Sequence, residues 1–253
     1  MKHFPRILLL NLLLVLLAGC HRMASVPTAD LSRLTPQPGE EGALNGEAPG
    51  TSPDLDPAVQ QALRIYPLGV GSSRVYHTLG FDPDQEVLWQ VVETVINSKI
   101  EEGRYFAEVE RVATLLEGDP GEDFPSVPAE GRVWYLVEGD KVYRLASGEE
   151  PDPAEAWLDL ILPFPDADEV WFPHPEARVR TDITSDVIRT VSSPFERQLP
   201  FGGMYTCYRL TTRYPQGVEE AVFCEGVGYV YQLFNHNDDV IGLRSELVGF
   251  SLQ

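Results

Sequence analysis

Cys207 and Cys224 are the residues whose types and spacing bear most directly on covalent chemistry in this 253-residue sequence. They stand seven positions either side of the ends of Tyr214-Pro215-Gln216-Gly217, so a hairpin folded about Pro215-Gln216 sets them opposite each other. Counting back from a hydrogen-bonded pair at Tyr214 and Gly217, the cysteines fall on a non-hydrogen-bonded pair, where Cα atoms approach to about 4.5 Å. That separation lies within disulfide range. Pro215 cannot adopt the positive φ of a type I′ or II′ turn, so a four-residue loop around a type I turn, with the same register, suits the proline better than a strict two-residue loop. The alternative is two buried free thiols, one of them displaced by a bulge near Gly226 or Gly228.

Other chemistry-bearing residues are carboxylates and scattered histidines. FDPDQE (81–86) places Asp82, Asp84 and Glu86 at alternate positions, PDADE (165–169) adds Asp166, Asp168 and Glu169, and NHNDD (235–239) supplies further oxygens. A hard cation such as calcium wants six to eight oxygens, so Asp82, Asp84 and Glu86 form a calcium candidate, set against the reading of solvated acidic turns. None of the clusters has the twelve-residue EF-hand pattern. His21, His77, His174 and His236 are too dispersed to spell a zinc site. There is no nucleophile elbow, Walker loop, HExxH or CxxC, and GVGSS and GVGYV lack the third glycine of a dinucleotide loop. No catalytic residue is therefore assigned, and the chain is expected not to be an enzyme. A hydrolase of polysaccharide or peptide remains as the alternative, built from two of many carboxylates. WFPHPE (171–176) reads either as an aromatic pocket mouth or as an edge strand closed by Pro173 and Pro175.

The sequence around these residues says where they work. Nineteen Lys and Arg against 39 Asp and Glu give a net charge of −20, which repels a nucleic-acid backbone and excludes that class of partner. Residues 1–19 open with Lys2, His3 and Arg6 and continue as an apolar run from Ile7 to Ala18, broken only by Asn11. This is the pattern of a secretory signal peptide, and the run is too short for a membrane span. Leu17-Ala18-Gly19-Cys20 resembles the lipobox of bacterial lipoproteins. That resemblance implies cleavage between Gly19 and Cys20, a covalent diacylglycerol on the Cys20 sulfur, and acyl chains such as palmitate holding the mature N-terminus in a lipid bilayer on the extracytoplasmic face of the cell envelope. Two chains improve on the marginal hold of one, at about 0.8 kcal/mol per buried CH₂. An ordinary secretory peptide with an incidental cysteine is the alternative. Cleavage leaves 17 bases and 39 acids.

Residues 20–63 lack Phe, Tyr and Trp and alternate Pro27, Pro36, Pro38, Pro49, Pro53 and Pro57 with Gly39, Gly42, Gly46 and Gly50. Such a segment cannot offset its ordering entropy and is expected to be a disordered tether with a span of about 35 Å. A short helix is predicted at its junction with the domain, over 56–66, with Asp56 as N-cap and Pro57 at the first helical position. Residues 64–253 then form a single β-rich domain. Strands are predicted over 87–97 and 104–114 around a Glu101-Glu102-Gly103 turn, over 132–138 and 141–146 around Gly139-Asp140, and over 186–193, 204–214, 218–234 and 246–252. AEAWLDLIL (154–162) is the best helix-period stretch and is ambiguous. Strands linked by short turns favour an antiparallel meander that curls to hide its edges. The expected fold is mainly β: a strongly curved sheet, half-barrel or open barrel with one or two short helices, a β-sandwich being the alternative.

Three stretches together look like a group of uncharacterised bacterial envelope lipoproteins. IYPLGVGSSRVY (65–76) resembles their opening Tyr-Pro-Leu-x-x-Gly-x-x-Trp-x-Tyr, with Arg74 where Trp is usual. LPFGGMYTCYRL (199–210) is similar to their Gly-x-Phe-x-x-Cys-x-x-Val stretch, with Tyr205 and Leu210 as departures, and FCEGVGYVYQ (223–232) matches Gly-Val-Gly-x-Val. The resemblance implies a curved antiparallel β fold and no established activity. From the residues themselves, Gly226 and Gly228 permit a bulge or close backbone approach, while Val227, Val230 and the alternating aromatics Tyr229 and Tyr231 pack on opposite faces. The function expected is a non-enzymatic, membrane-anchored lipoprotein whose domain binds an unknown ligand or envelope protein, a hydrophobic molecule in the concavity being one form; a structural part in surface assembly is the other alternative. Replacing Cys20 with Ser is expected to shift the protein from the membrane to the soluble fraction; an unchanged membrane-bound pool contradicts the lipid anchor.

Overall fold

A computed structural model describes residues 53–122, 124–145, 156–173, 187–215, 217–236 and 241–252. Cys20 and its lipobox lie outside the described residues, as does most of the segment read as a tether. Helix α1 (Pro57–Ile65) is capped by Asp56, whose side chain accepts a hydrogen bond from the Ala58 amide at 2.8 Å, with proline at its first position. Its buried face carries Val59, Ala62 and Leu63 into the core beside Leu55. The packed part of the chain therefore begins before residue 64, because apolar residues of 55–63 are core and not tether.

The rest is strand: β1 (Ser73–Phe81), β2 (Glu86–Glu101), β3 (Arg104–Glu117), β4 (Gly131–Glu138), β5 (Lys141–Leu145), β6 (Trp157–Ile161), β7 (Val170–Trp171), β8 (Ile188–Val191), β9 (Phe195–Gln198), β10 (Met204–Tyr214), β11 (Gly217–Cys224), β12 (Gly228–His236) and β13 (Gly242–Ser251). They form one antiparallel sheet in the order β6-β5-β4-β3-β2-β1-β13-β12-β11-β10-β8-β7, with β9 beside β10. The first and last strands pair in the middle, from Ser73↔Ser251 to Phe81↔Gly242. The two ends of the sheet, β6 and β7, are therefore successive in the chain. They do not pair as a ladder, so the sheet is a curled meander that is not closed into a barrel. Among the described residues one backbone bond crosses near that seam, from the Leu158 amide to the Pro173 carbonyl at 2.8 Å. Val170–Trp171 is the edge strand, and Trp171 is buried in the core.

Local chemistry sets the hairpins. The long β2–β3 hairpin turns on Glu102 (φ 53°) and Gly103 (φ 78°), the paired left-handed conformations that match strand twist. Glu138↔Lys141 closes a two-residue loop at Gly139-Asp140, and Asp82 makes the β1–β2 turn by accepting from the Asp84 and Gln85 amides at 2.8 and 2.9 Å. The β10–β11 ladder runs from Tyr214↔Gly217 to Cys207↔Cys224, and the two sulfurs are bonded, with Cα atoms 4.0 Å apart.

Two strand assignments change. Within the 154–162 stretch, Trp157–Ile161 is strand β6, because Leu160 pairs with Val142 of β5 and is buried in the core, a tertiary contact that overrides the helix-like period. The 218–234 stretch is two strands, folded at Glu225-Gly226-Val227, where the Val227 amide bonds back to the Cys224 carbonyl. Within β12 the register slips so that Phe223 faces Tyr229 and Val222 faces Tyr231. Val230 is the extra residue, and it sends Tyr229 and Tyr231 to different apolar clusters.

Two of the three motifs of the lipoprotein resemblance, 65–76 and 223–232, meet just beyond that fold. Arg74 Nε donates to the Val227 carbonyl at 2.8 Å, Arg74 Nη2 donates to the Pro67 carbonyl at 2.7 Å, and the guanidinium lies 5.0 Å from the Tyr66 ring centroid. Gly228 (φ 105°) passes beneath them: a Cβ there would stand 2.8 Å from the Tyr66 ring and 3.0 Å from Arg74 Nε. Gly228→Ala is expected to destabilise the domain by about 1–3 kcal/mol, from backbone strain and the clash together. A urea unfolding midpoint equal to that of the native protein contradicts this packing.

Candidate functional site

The concave side of the sheet is filled at one end by α1 and the aromatic group Tyr66, Tyr135, Phe164, Phe223 and Tyr229, whose rings meet edge-on at 5.3–6.2 Å in most pairs. Beside this core lies a partly enclosed cavity of about 210 Å³, room for about seven waters at about 30 Å³ each. Its wall is polar. Glu93 from β2, Arg111 from β3, Arg144 from β5, Asp159 from β6, Arg189 from β8 and Glu219 from β11 all reach it, together with four tyrosines and Gln232, Thr78 and Ser245; Pro128 and Ala129 close part of one side.

Each charge but one has a partner. Arg189, 3% exposed, is the most connected. Its Nη1 donates to both the Asp159 carboxylate (2.9 Å to Oδ1) and the Asp159 carbonyl, its Nε donates to Thr212 Oγ1 at 2.7 Å, and its Nη2 stands 3.6 Å from Glu219 Oε2. Tyr229 donates to the same Asp159 Oδ1 at 3.2 Å, and Tyr214 donates to Glu219 at 2.7 Å. This cluster joins β8, β10, β11 and β12 to β6 across the seam. On the other side of the cavity Arg111 donates through Nε and Nη2 to Glu93 Oε1.

Burial pushes the Arg189 guanidinium down, yet Tyr229, Asp159 and Glu219 outweigh that effect and leave it raised. Burial likewise pushes Arg111 down while Glu93 holds it raised. Arg144 follows the same rule: burial acts downward, and Asp159, Tyr135, Tyr229 and Glu219 act upward and win. Yet Arg144 makes no hydrogen bond or ion pair among the described residues. For the buried tyrosines burial itself acts upward, because the neutral phenol is favoured: loss of hydration raises Tyr66, Tyr76, Tyr135 and Tyr229, with Tyr135, Glu93, Glu93 and Asp159 as the respective next causes.

The sequence did not single out any of these six charged residues as a site. They come from six strands and share no motif; the one signal was Arg111 on the same face of 104–114 as Tyr105, Ala107 and Val109. The residues that were singled out lie elsewhere. Asp82 is used by its turn, with Asp84 and Glu86 exposed beside it, and no group of three or more His, Cys, Asp or Glu among the described residues is poised to hold a metal ion. Asp166, Asp168 and Glu169 shape the loop before β7, and residues 237–240 and His174 lie outside the described residues. An apolar ligand in this cavity would desolvate the six charges of its wall without replacing their hydration, which disfavours a hydrophobic molecule there.

No family model matches the chain, and no curated protein matches it. Two solved structures are similar in part. One, from Bacteroides fragilis, is assigned as an exported protein with a YmcC-like fold: 9% identity, TM-score 0.43, covering 74% of this chain and 98% of the other. The second, from Parabacteroides distasonis, is assigned as a lipoprotein: 10% identity, TM-score 0.38, with the same coverage.

The raised tyrosines set an alkaline limit. Below pH about 10 both folded and unfolded chains keep these phenols neutral, so the stabilisation is fully present. Above it the unfolded chain ionises while the folded one does not, and stability falls as pH climbs toward the raised folded values. Phenolate absorbance of the native protein is expected to show fewer than its ten tyrosines titrating near pH 10, the rest appearing in step with unfolding; a smooth titration of all ten near pH 10 in folded protein contradicts the buried cluster.

Proposed function

We propose that this chain is a membrane-anchored, non-enzymatic lipoprotein of the bacterial envelope whose β domain binds a small polar molecule in the cavity of its concave face. The Leu17-Ala18-Gly19-Cys20 stretch after an apolar leader supports the anchor, with diacylglycerol on Cys20 and the lipid bilayer as its partner, and a Pro- and Gly-rich segment before the helix gives the domain reach. The observation that carries the binding reading is the cavity itself. Its wall gathers polar groups from strands distant in sequence, whereas a fold that needed only stability would fill that volume with apolar side chains.

One observation favours the alternative of an envelope hydrolase: Glu93, Asp159 and Glu219 converge on the cavity, as two carboxylates must in a glycosidase. Their contacts favour binding over catalysis. Glu93 and Asp159 each accept from an arginine within hydrogen-bond range, and Glu219 accepts from Tyr214, so all three serve as fixed acceptors rather than as a free proton donor and a base.

In a thermal-shift series on the soluble domain, small polar solutes at millimolar concentration are expected to raise the melting temperature, and fatty acids are not. Stabilisation by fatty acids alone contradicts the polar-cavity reading, and release of reducing sugar from envelope polysaccharide, lost on Glu93→Gln or Asp159→Asn, supports the hydrolase instead.

A further inference from the structure

Resting on the cavity reading above, the geometry points to a specific ligand class: a small monocarboxylate that also carries hydrogen-bond donors, of amino-acid or hydroxy-acid size, with its carboxylate held by Arg144 and the phenols of Tyr66 and Tyr135.

The assignment follows from which groups lack partners. Arg111 is committed to Glu93, and Arg189 to Asp159, Glu219 and Thr212. Arg144 lines the same cavity on accessible surface with its donors unused among the described residues. A guanidinium presents five donors in a planar fork that matches a carboxylate two bonds at a time. Tyr66 and Tyr135 are 2% and 5% exposed, both line the cavity, and neither hydroxyl bonds a described residue. The other two cavity tyrosines are committed, Tyr76 to the Tyr229 carbonyl at 3.1 Å and Tyr229 to Asp159. The hydroxyls of two buried tyrosines and the exposed Arg144 thus line one small space with donors that have no acceptor among the described residues, and a ligand that enters can accept from all three.

The rest of the wall limits the ligand's charge. Three arginines and three carboxylates make the lining neutral overall. A dianion such as phosphate would gain Arg144 but face three fixed carboxylates, and like-charge contacts in a poorly hydrated site are unfavourable. A monocarboxylate meets less of that repulsion. Glu93 Oε2 and Asp159 Oδ2 accept no hydrogen bond from described residues, since the contacts of these carboxylates fall on Oε1 and Oδ1. They are acceptors for hydroxyl or ammonium groups on the same molecule. The volume admits a molecule of that size and not a sugar chain or acyl tail.

The test is isothermal titration of the detergent-solubilised full-length protein with lactate, alanine and succinate, with lactamide and alaninamide as isosteric partners that lack the free carboxylate, and with inorganic phosphate. Lactate or alanine is expected to bind saturably and at least tenfold more tightly than its amide. Arg144→Gln is expected to lose at least tenfold in that affinity, and Tyr135→Phe less, with both variants keeping the native circular dichroism spectrum. Equal binding of acid and amide, or undiminished acid binding by Arg144→Gln, overturns the carboxylate assignment while leaving the cavity a binding site. Preference for phosphate or succinate overturns the monoanion limit. If neither the acids nor the amides bind, both this inference and the binding function fall.

Discussion

The fold depends on how an unclosed sheet holds its two ends together, and among the described residues Arg189 makes the most hydrogen bonds from one side of the seam to the other. A meander of this length has two edges, and exposed edges invite pairing with other chains. Here the edges are successive strands of one chain, β6 and β7, joined by a short loop yet linked by little backbone bonding. Arg189, one strand in from one edge, reaches across to the backbone and carboxylate of Asp159 in the other, while Thr212, Glu219 and Tyr229 fix its remaining atoms or its partner. Trp157 of β6 and Tyr214 of β10 stack across the same gap at 6.4 Å. A ladder would have imposed strict register there; a side-chain clamp allows the curvature to stay wide enough for a cavity.

That width has a cost that the tyrosines offset. An aromatic ring buries a large apolar area while its hydroxyl still bonds, so Tyr66, Tyr76, Tyr135 and Tyr229 connect the dry packing around α1 to the charged wall without a sharp boundary. Buried ion pairs add little net stability compared with apolar packing. Retaining Glu93 with Arg111, and Asp159 with Arg189, in an interior that could have been apolar is economical only if the polarity is used. Arg144 differs from its neighbours: the other two arginines are paired within the wall, whereas Arg144, on exposed surface, has no partner among the described residues.

Much of the architecture was legible in local sequence because the physics there is local. The spacing of Cys207 and Cys224 about Pro215-Gln216 specifies a register, and the ladder follows it. Gly139, Asp56-Pro57 and Gly103 each encode a turn or cap through conformations that few other residues supply. Where the outcome depended on partners far along the chain, the reading failed or stopped. The 154–162 run is ambiguous until β5 claims its second half as strand, and 218–234 reads as continuous strand although the chain turns at Glu225-Gly226-Val227, where the Arg74 and Tyr66 contacts meet it. The cavity was the least legible part. Its charged residues are spread from Glu93 to Glu219, one per strand, and alternation alone cannot tell an inward arginine that lines a space from an outward one in water.

The central claim is that the Arg189–Asp159 clamp, and not a ladder, holds the seam and so shapes the cavity. Native-state hydrogen exchange resolved to single amides, on the native protein and on Arg189→Lys, tests it most directly. The account predicts that the variant loses protection selectively at Leu158, along β6 and along β8, while β1, β2 and β13 keep theirs. Unchanged protection at the seam, or a uniform loss across all strands, would contradict it.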